Sequence, residues 1–402
     1  MTKFVATQAW AKGANNISAK DRLPEGFVRH AVNLDPLPGG TLKLRTGYEQ
    51  VYAGAEVRGV LALGTKLLIA DGTSLVEYDL LTNTSKVLRS IAGAGVFTGD
   101  VLNNTLYFCT TNECLEYDGT TVRPWGVPTA RNQPVVTASG VGGLVAGYYQ
   151  IALTLVDAWG REGGADKPLV IYAEQNSALT VAVPAPPAGY STNVYVGSVN
   201  GGTLYLQNTV GTAATVNVGI VRDDTARCTT DMMRAPVPGT QVVAHNGVLV
   251  SAVGNYIQIT RPMQAHLVDN VRGFVQYSTA VNAVVSTGVL FVSADKCYAL
   301  TSPETGDIRQ QVVLEYPAIT GTAVLLPDGR GAWMTTYGQA VTNGDKVELV
   351  NRGSFAPASA ESGAAGVVDN DGNQLVVTAL KGKTGGNPLA ASDFFIGEII
   401  NP

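Results

Sequence analysis

The tripeptide Glu-Tyr-Asp occurs twice in this chain, and the repetition limits the possible folds more than any other feature. The two tyrosines, Tyr78 and Tyr117, are 39 positions apart. Each triplet ends a series of short apolar runs that are separated by turn-forming residues, a pattern typical of β-strands. A repeat of about 40 residues with four short strands is typical of β-propeller blades, because one four-stranded unit buries both faces only by stacking against neighbours.

Similar units return in the second half of the chain, after a stretch whose strand spacing is different. We therefore predict an all-β fold, a β-propeller of about six blade-like units with an inserted fibronectin-III-like β-sandwich. A C-terminal strand at 394–400 is expected to close the ring by pairing with the leader. The predicted units are an N-terminal leader and closing strand at 1–50, the first blades at 51–132, the sandwich at 133–221, and the remaining blades at 222–402.

The most distinctive segment runs from residue 254 to residue 306. We expect residues 256–269 to form a short strand and a Pro-containing loop, and residues 281–300 to form two strands joined by a tight turn at 293–296. The loop contains Arg261, Pro262 and His266, which we predict to contact a neighbouring blade or subunit. The alternative, left open for Arg261, is a solvated position on the rim.

The charge of the chain limits the partners that it can have. With 27 basic and 32 acidic residues the formal net charge is −5, which argues against a protein that coats nucleic acid with a basic face. A weakly acidic channel wall, along which DNA slides without adhering, is compatible with this charge. The N-terminus lacks the apolar core of a signal peptide, and the window 141–156 is too interrupted to span a bilayer. We expect a soluble cytosolic chain without a membrane-spanning segment.

The cysteines and loops give no sign of a cofactor or a metal. We expect free thiols in a reducing compartment, because four cysteines are too few for a disulfide framework in a chain of 402 residues and no Cys-x-x-Cys pair occurs. The run 369–373 departs from the calcium-loop pattern and is predicted to be a polar hairpin turn. Nucleophile elbows, phosphate loops and zinc-protease motifs are missing from the sequence, so we predict a protein that is not an enzyme. The cysteines are Cys109, Cys114, Cys228 and Cys297.

One enzymatic alternative stays open because paired carboxylates meet in space and not in sequence. Glu77, Asp79, Glu116 and Asp118 recur in register and would be the acid and base of a propeller glycosidase or lyase; their regular placement favours blade turns instead. Trp159 follows a long strand, and we expect its ring to fold over its own sandwich, with a partner anchor as the alternative.

Two stretches of the chain resemble bacteriophage β-propeller structural proteins. The segment YIQITRPMQAHLVD, followed by GVLFVSADKCYALTSPETGD, is similar to a segment of that family. Residues 260–262 and the pair 265–266 keep the family's frame, with Ala265 in place of its second proline. The opening of the chain also looks like the family's N-terminus, at Leu23, Pro24, Gly26, Ala31, Asn33, Asp35, Arg45 and Gly47.

Within that family the chain is most similar to tail nozzle proteins, also called tail tubular or DNA-stabilisation proteins, of short-tailed phages. The resemblance implies a structural virion protein, assembled in the host bacterial cytoplasm and located in the virion tail. It implies a homohexameric ring that contacts the portal-adaptor ring and tail fibre or needle proteins. Genomic DNA would pass through its lumen without sequence-specific contacts. The alternative is a receptor- or glycan-binding propeller module, for which clusters of exposed aromatic residues would be expected.

Overall fold

The computed structural model of the chain is nearly all β. Within the described residues, helical structure is limited to two 3-10 turns, Lys20–Arg22 and Pro303–Thr305. No helix in this part of the chain is long and apolar enough to cross a membrane. The strand expected at 394–400 lies outside the described residues, which are 12–29, 34–36, 40–44, 47, 49–92, 95–130, 134–165, 167–370 and 373–382.

The first two strands pair with each other. The next eight strands form two antiparallel four-stranded sheets, which we call blades 1 and 2. In each blade the strands pair with their neighbours in chain order, as the short apolar runs and intervening turns predict. The leader pair is β1 (Leu34–Pro36) with β2 (Leu42–Leu44). Blade 1 consists of β3 (Val57–Leu63), β4 (Lys66–Asp71), β5 (Ser74–Asp79) and β6 (Thr84–Ser90). Blade 2 consists of β7 (Phe97–Leu102), β8 (Thr105–Thr110), β9 (Cys114–Tyr117) and β10 (Val122–Pro124).

The next seven strands form two facing antiparallel sheets, the sandwich. Their inward side chains share one core, which includes Ile151, Leu153, Val181, Val194 and Val216. The division into three and four strands is the one seen in seven-stranded immunoglobulin-type sandwiches; a fibronectin-type assignment stays a prediction. In chain order the strands are β11 (Val135–Ser139), β12 (Gly147–Asp157), β13 (Leu169–Ala173), β14 (Ala178–Val183), β15 (Tyr190–Gly197), β16 (Leu204–Val210) and β17 (Ala214–Val218). The sheet orders are β11-β14-β17 and β13-β12-β15-β16.

The chain then returns to blade-like sheets. Blade 3 has six strands: β18 (Met233–Arg234), β19 (Gln241–His245), β20 (Val248–Val253), β21 (Tyr256–Arg261), β22 (Gln264–Asp269) and β23 (Phe274–Gln276). Blade 4 has β24 (Ala283–Ser286), β25 (Leu290–Ser293), β26 (Cys297–Thr301) and β27 (Arg309–Leu314). Blade 5 has β28 (Val324–Leu325), β29 (Gly331–Thr335), β30 (Gly338–Asn343) and β31 (Lys346–Leu349). A terminal sheet pairs β32 (Ser362–Asn370) with β33 (Asn373–Lys381).

The blades are arranged as a β-propeller, because one edge strand of each sheet, its innermost strand, contacts that of the next: β3 with β7, β7 with β19, β19 with β24, β24 with β28, and β28 with β32. A separate hydrophobic cluster fills each space between consecutive blades. Burying one Leu or Phe side chain in such a cluster stabilises the fold by roughly 1.5–3 kcal/mol. The expected count of about six blades stays a prediction, since the terminal sheet has two strands among the described residues.

Polar side chains bond the innermost strands of consecutive blades to one another. Gln241 of β19 donates to the carbonyl of Asn282 at 2.8 Å and accepts from the N–H of Val284 at 2.6 Å. Asp100 of β7 accepts from the N–H of Ala244 at 2.8 Å. An inner strand has an edge that no strand of its own blade covers, so these side chains satisfy backbone groups that would otherwise be unpaired.

Two expectations about the segment 254–306 were wrong in detail. Residues 256–269 form a hairpin of β21 and β22 and not a strand with a loop, because Pro262 and Met263 make a tight turn in which Met263 has a φ of 61°. Residues 281–300 contain three strands, since a further hairpin joins β24 to β25. The predicted turn after Ser293 is confirmed, with Phe291 opposite Ala299.

Candidate functional site at the junction of the propeller and the sandwich

The loop between β12 and β13 carries the sandwich's main polar contact with the propeller. Arg161 in this loop places its Nη1 atom 2.9 Å from Oε1 of Glu116 in blade 2. The same guanidinium donates to the carbonyls of Pro124 and Trp125, at 3.1 and 3.3 Å. Its Nε lies 2.7 Å from Oδ2 of Asp157, at the end of β12. One arginine therefore joins the last strand of blade 2 to the longest strand of the sandwich.

Carboxylates surround both guanidiniums at this junction. Glu116 is 1% exposed and also accepts a hydrogen bond from Arg123 of β10, whose Nη1 lies 3.9 Å from Oδ2 of Asp118. Burial raises the pKa of Asp157, but hydrogen bonds from the side chain and backbone of Arg161 outweigh it and hold the pKa below its ordinary value. Asp157 is thus kept ionised by a fixed partner, and both Glu116 and Asp157 are held in ion pairs with Arg161.

Trp159 lies over this cluster, and its expected packing against its own sandwich stays a prediction. The guanidinium carbon of Arg123 is 4.8 Å from the centre of the indole ring, and that of Arg161 is 5.7 Å away. The ring remains 55% exposed. A cation over an exposed aromatic face contributes about 0.5–1 kcal/mol to stability. Because the ring lies over the two guanidiniums, Trp159 also covers one side of the ion pairs.

Two glycines permit the close approach of this loop to the propeller. A Cβ atom at Gly164 would overlap the backbone carbonyl of Met233, in β18 of blade 3. A Cβ atom at Gly163 would lie 2.8 Å from the carbonyl of Pro128, in the segment that leaves blade 2. Since backbone cannot give way as a flexible side chain does, larger residues at these two positions would lift the loop away from the propeller.

The residues predicted from the sequence to form a contact lie on blade 3 beside the same junction. Arg261 donates to the carbonyl of Thr229 at 3.0 Å, in the segment returning from the sandwich, and Pro262 is exposed at the hairpin turn. His266 on β22 is partly buried. Burial and the charge of Arg161 lower the pKa of His266, and a hydrogen bond with the backbone of Glu162 opposes this by raising it.

Blade 2 is bonded to blade 3 at the same place. The indole N–H of Trp125, a fully buried side chain, donates to the carbonyl of Ala265 at 2.7 Å. Ala265 precedes His266 on β22, so the strand that faces the sandwich loop also receives a bond from the neighbouring blade. The junction therefore involves blade 2, blade 3 and the sandwich together.

The remaining carboxylates of the two Glu-Tyr-Asp triplets serve the blades. Glu77, 5% exposed, lies 3.4 Å from Nζ of Lys66 and 3.1 Å from Nζ of Lys86, and accepts a hydrogen bond from Tyr117 of blade 2. Asp79 and Asp118 accept backbone N–H groups of the turns that follow them, the arrangement favoured in the sequence reading. None of these groups is placed as an unpaired general acid or base.

From the sequence, Glu116 was predicted only as a catalytic alternative, and its partners Arg123 and Arg161 were not predicted. Asp157 and Arg161 are four residues apart in a polar turn after an unusually long apolar strand, a spacing that allows one to orient the other. Their joint role depends on a carboxylate 45 positions earlier, which local spacing does not show. In the described residues no three His, Cys, Asp or Glu side chains are grouped as metal ligands.

These features define a class: a β-propeller into which a seven-stranded sandwich is inserted and bonded through a cluster of ion pairs. No family model and no curated protein matches the chain. Solved structures show distant likeness. The streptogramin B lyase structure is 10% identical with a TM-score of 0.33, over 81% of this chain and 91% of that one. The N-terminal domain of Nup159 is 12% identical with a TM-score of 0.29, over 85% and 76%.

A third structure is the extracellular domain of a one-component system from B. thetaiotaomicron, 11% identical with a TM-score of 0.26. This chain spans 60% of its length, and 86% of this chain is matched. Values this low carry no argument about function, and the propeller rests on the strand pairing described above.

Proposed function

We propose that this protein is a structural subunit of a phage tail nozzle, in which propellers form a ring around the path of the DNA. The observation that carries the proposal is the junction of Arg161 with Glu116. It holds the inserted sandwich to blade 2 through ion pairs and hydrogen bonds that occupy both Glu116 and Asp157. A ring subunit needs its two modules at a fixed angle, because errors in that angle accumulate around a closed ring.

The mechanism in this proposal is steric and electrostatic. Six copies surround the channel, contact the portal-adaptor ring on one side and tail fibre or needle proteins on the other, and retain the genome until ejection. The net charge of −5 favours passage without adhesion, because a wall that lacks excess cations forms few phosphate contacts. The resemblance of the segment around Arg261, Pro262 and His266 to phage propeller proteins supports the same proposal.

The test is the oligomeric state of the purified full chain and its presence in virions. Sedimentation velocity and negative-stain images should reveal rings of about six copies. Portal and adaptor genes should lie beside the gene for this protein. Monomers at every concentration, together with virions that lack the protein, would contradict the proposal.

A glycan-binding module is the second candidate, and one observation favours it. Tyr148 and Tyr172 are cross-strand neighbours on the outer face of the sandwich, with ring centres 5.3 Å apart and exposures of 58% and 47%. Aromatic rings offer apolar faces on which the C–H face of a sugar ring can stack. Gln150 lies on the same strand, two residues from Tyr148, and supplies an amide for hydroxyl groups.

A glycan array measures this second function directly. If it is correct, the wild-type chain binds a defined set of glycans and Tyr148→Ala with Tyr172→Ala abolishes binding. Tyr337→Ala, at a similarly exposed tyrosine on blade 5, is the matched control and should bind as the wild type does. Wild-type protein that binds no glycan removes this candidate. The propeller glycosidase or lyase has no comparable support, since Glu77 and Glu116 are held by cations.

A further inference from the structure

Two cysteines lie directly opposite each other in blade 2 and have no role in the junction. Cys109 of β8 is in register with Cys114 of β9, and their Sγ atoms are 3.3 Å apart. Both are free thiols in this structure. Of the other two cysteines, Cys228 follows the sandwich in sequence and Cys297 lies in blade 4.

The register gives this pair a backbone geometry that suits a disulfide. The N–H of Thr110 donates to the carbonyl of Glu113 at 2.9 Å, so these two residues form the hydrogen-bonded pair that closes the hairpin. The carbonyl of Cys114 accepts from Trp125 of β10 at 3.0 Å, on the side away from Cys109. Cys109 and Cys114 are therefore a non-hydrogen-bonded pair, whose Cα atoms are typically about 4.5 Å apart. Disulfides bridge Cα separations of about 4.4–6.8 Å.

The two sulfurs differ in their surroundings. Cys109 is fully buried with Trp125, Val242 and Leu249 between blades 2 and 3, whereas Cys114 is partly exposed. The two Sγ atoms lie within hydrogen-bond distance, and either thiol can donate. This contact lowers the pKa of Cys109, against the opposing effect of burial, and raises the pKa of Cys114. A small oxidant therefore reaches the pair from the side of Cys114, and the more readily ionised sulfur of Cys109 lies directly behind it.

We propose that Cys109 and Cys114 form a reversible cross-strand disulfide when the protein meets a peroxide. The peroxide oxygen adds to one of the two sulfurs as the O–O bond breaks; a sulfenic acid forms and, from hydrogen peroxide, one water leaves. The other sulfur then attacks the sulfur of the sulfenic acid, the S–O bond breaks, and a second water carries away the proton of the attacking thiol. Two thiols lose two electrons and one peroxide is consumed.

The disulfide would fix a hairpin that contacts both neighbouring blades. Glu113 at the turn pairs with Arg89 of blade 1 at 2.9 Å, and Cys109 packs against Val242 of blade 3. Because the closed loop is short, the loss of chain entropy in the unfolded state is small. We therefore expect a modest rise in unfolding temperature and no change of fold. This inference is independent of the proposed nozzle function.

The test uses the reduced full-length protein and hydrogen peroxide. Trypsin releases both cysteines on one peptide, residues 90–131, because Pro124 protects the bond after Arg123. After oxidation, denaturation and alkylation, this peptide should lack two hydrogen atoms and carry no alkyl group until dithiothreitol is added. Cys228 and Cys297 should remain alkylated in the same sample.

The control for oxidant dose is Met263, which is 92% exposed and converts to the sulfoxide. A sample in which Met263 is oxidised while Cys109 and Cys114 both remain alkylated overturns the inference. Conversion of either cysteine to a sulfinic acid without a disulfide overturns it as well. The variant Cys114→Ser should give no peptide that lacks two hydrogen atoms, and the wild-type measurement stands whether or not that variant folds.

Discussion

Arg161 of the sandwich and Glu116 of blade 2 approach to 2.9 Å and join two units that fold around separate hydrophobic cores. The carboxylate is almost fully buried, so the pair is shielded from the solvent and salt that weaken surface ion pairs. Loss of one partner from such a pair is costly because the other charge stays buried. The stability of the sandwich and that of the propeller should therefore be coupled through this contact.

Replacement of Arg161 by alanine should uncouple the two units. Asp157 loses the guanidinium it pairs with, and we expect a loss of about 3 kcal/mol with separate unfolding of the sandwich. Differential scanning calorimetry measures both effects. Arg330→Ala, in an exposed pair with Asp328, is the matched control and should change stability by less than about 0.5 kcal/mol. One transition, displaced no further than in that control, would refute the coupling.

Glu77 should make the protein sensitive to acid. Burial raises the pKa of Glu77, but the hydrogen bonds from Tyr117 and Lys86 and the charge of Lys66 outweigh it, so the folded pKa is lowered. The unfolded chain then binds the proton first, and the stabilisation is present above the unfolded pKa of about 4.3 and is lost as pH falls through the lower folded value.

The measurement for Glu77 is the urea midpoint as a function of pH. Glu77→Gln should be destabilised at neutral pH and should lose less stability than the wild type on acidification. Glu56→Gln, at an exposed carboxylate that pairs with Arg58, should follow the wild-type curve. Parallel curves for Glu77→Gln and wild type would exclude a lowered pKa at this position.

Gln241 should stabilise the inner ring of strands. Gln241→Ala removes two hydrogen bonds between blades 3 and 4 and leaves the N–H of Val284 and the carbonyl of Asn282 unpaired. The cost of burying such groups is about 1–3 kcal/mol each. Chemical denaturation of this variant beside Gln310→Ala, at an exposed position of β27, checks the expectation; equal midpoints for the two variants would contradict it.

Arg261→Ala should weaken ring assembly more than folding, if the proposed function is correct. In the single chain Arg261 donates to the carbonyl of Thr229, at the edge of an exposed hairpin, so its loss should cost the monomer little. Sedimentation velocity should detect fewer rings for Arg261→Ala than for the control Arg272→Ala, an exposed arginine on the same blade. Equal profiles for the two variants would argue against a subunit contact at Arg261.

The prediction of the propeller from the sequence succeeded because blade strands are short, local and joined by recognisable turns. The Asn246-Gly247 hairpin is an example: both residues have positive φ, as a type I′ turn requires, and they join β19 to β20. The hairpin of β21 and β22 was missed because Pro262 was interpreted as the mark of a loop. Proline at the first central position of a tight turn leaves the strands on either side intact.

The sequence alone determined the strand-rich fold, the repeat of about 40 residues, and the interruption of the blades by a different unit, because these depend on local spacing and turn chemistry. The tertiary structure alone decided which charges meet. Glu116, Asp157 and Arg161 come together when the sandwich lies against blades 2 and 3, and the two Glu-Tyr-Asp triplets are linked when Tyr117 reaches Glu77 across the space between blades. Such partners are fixed by packing between distant segments, which the local spacing of residues does not encode.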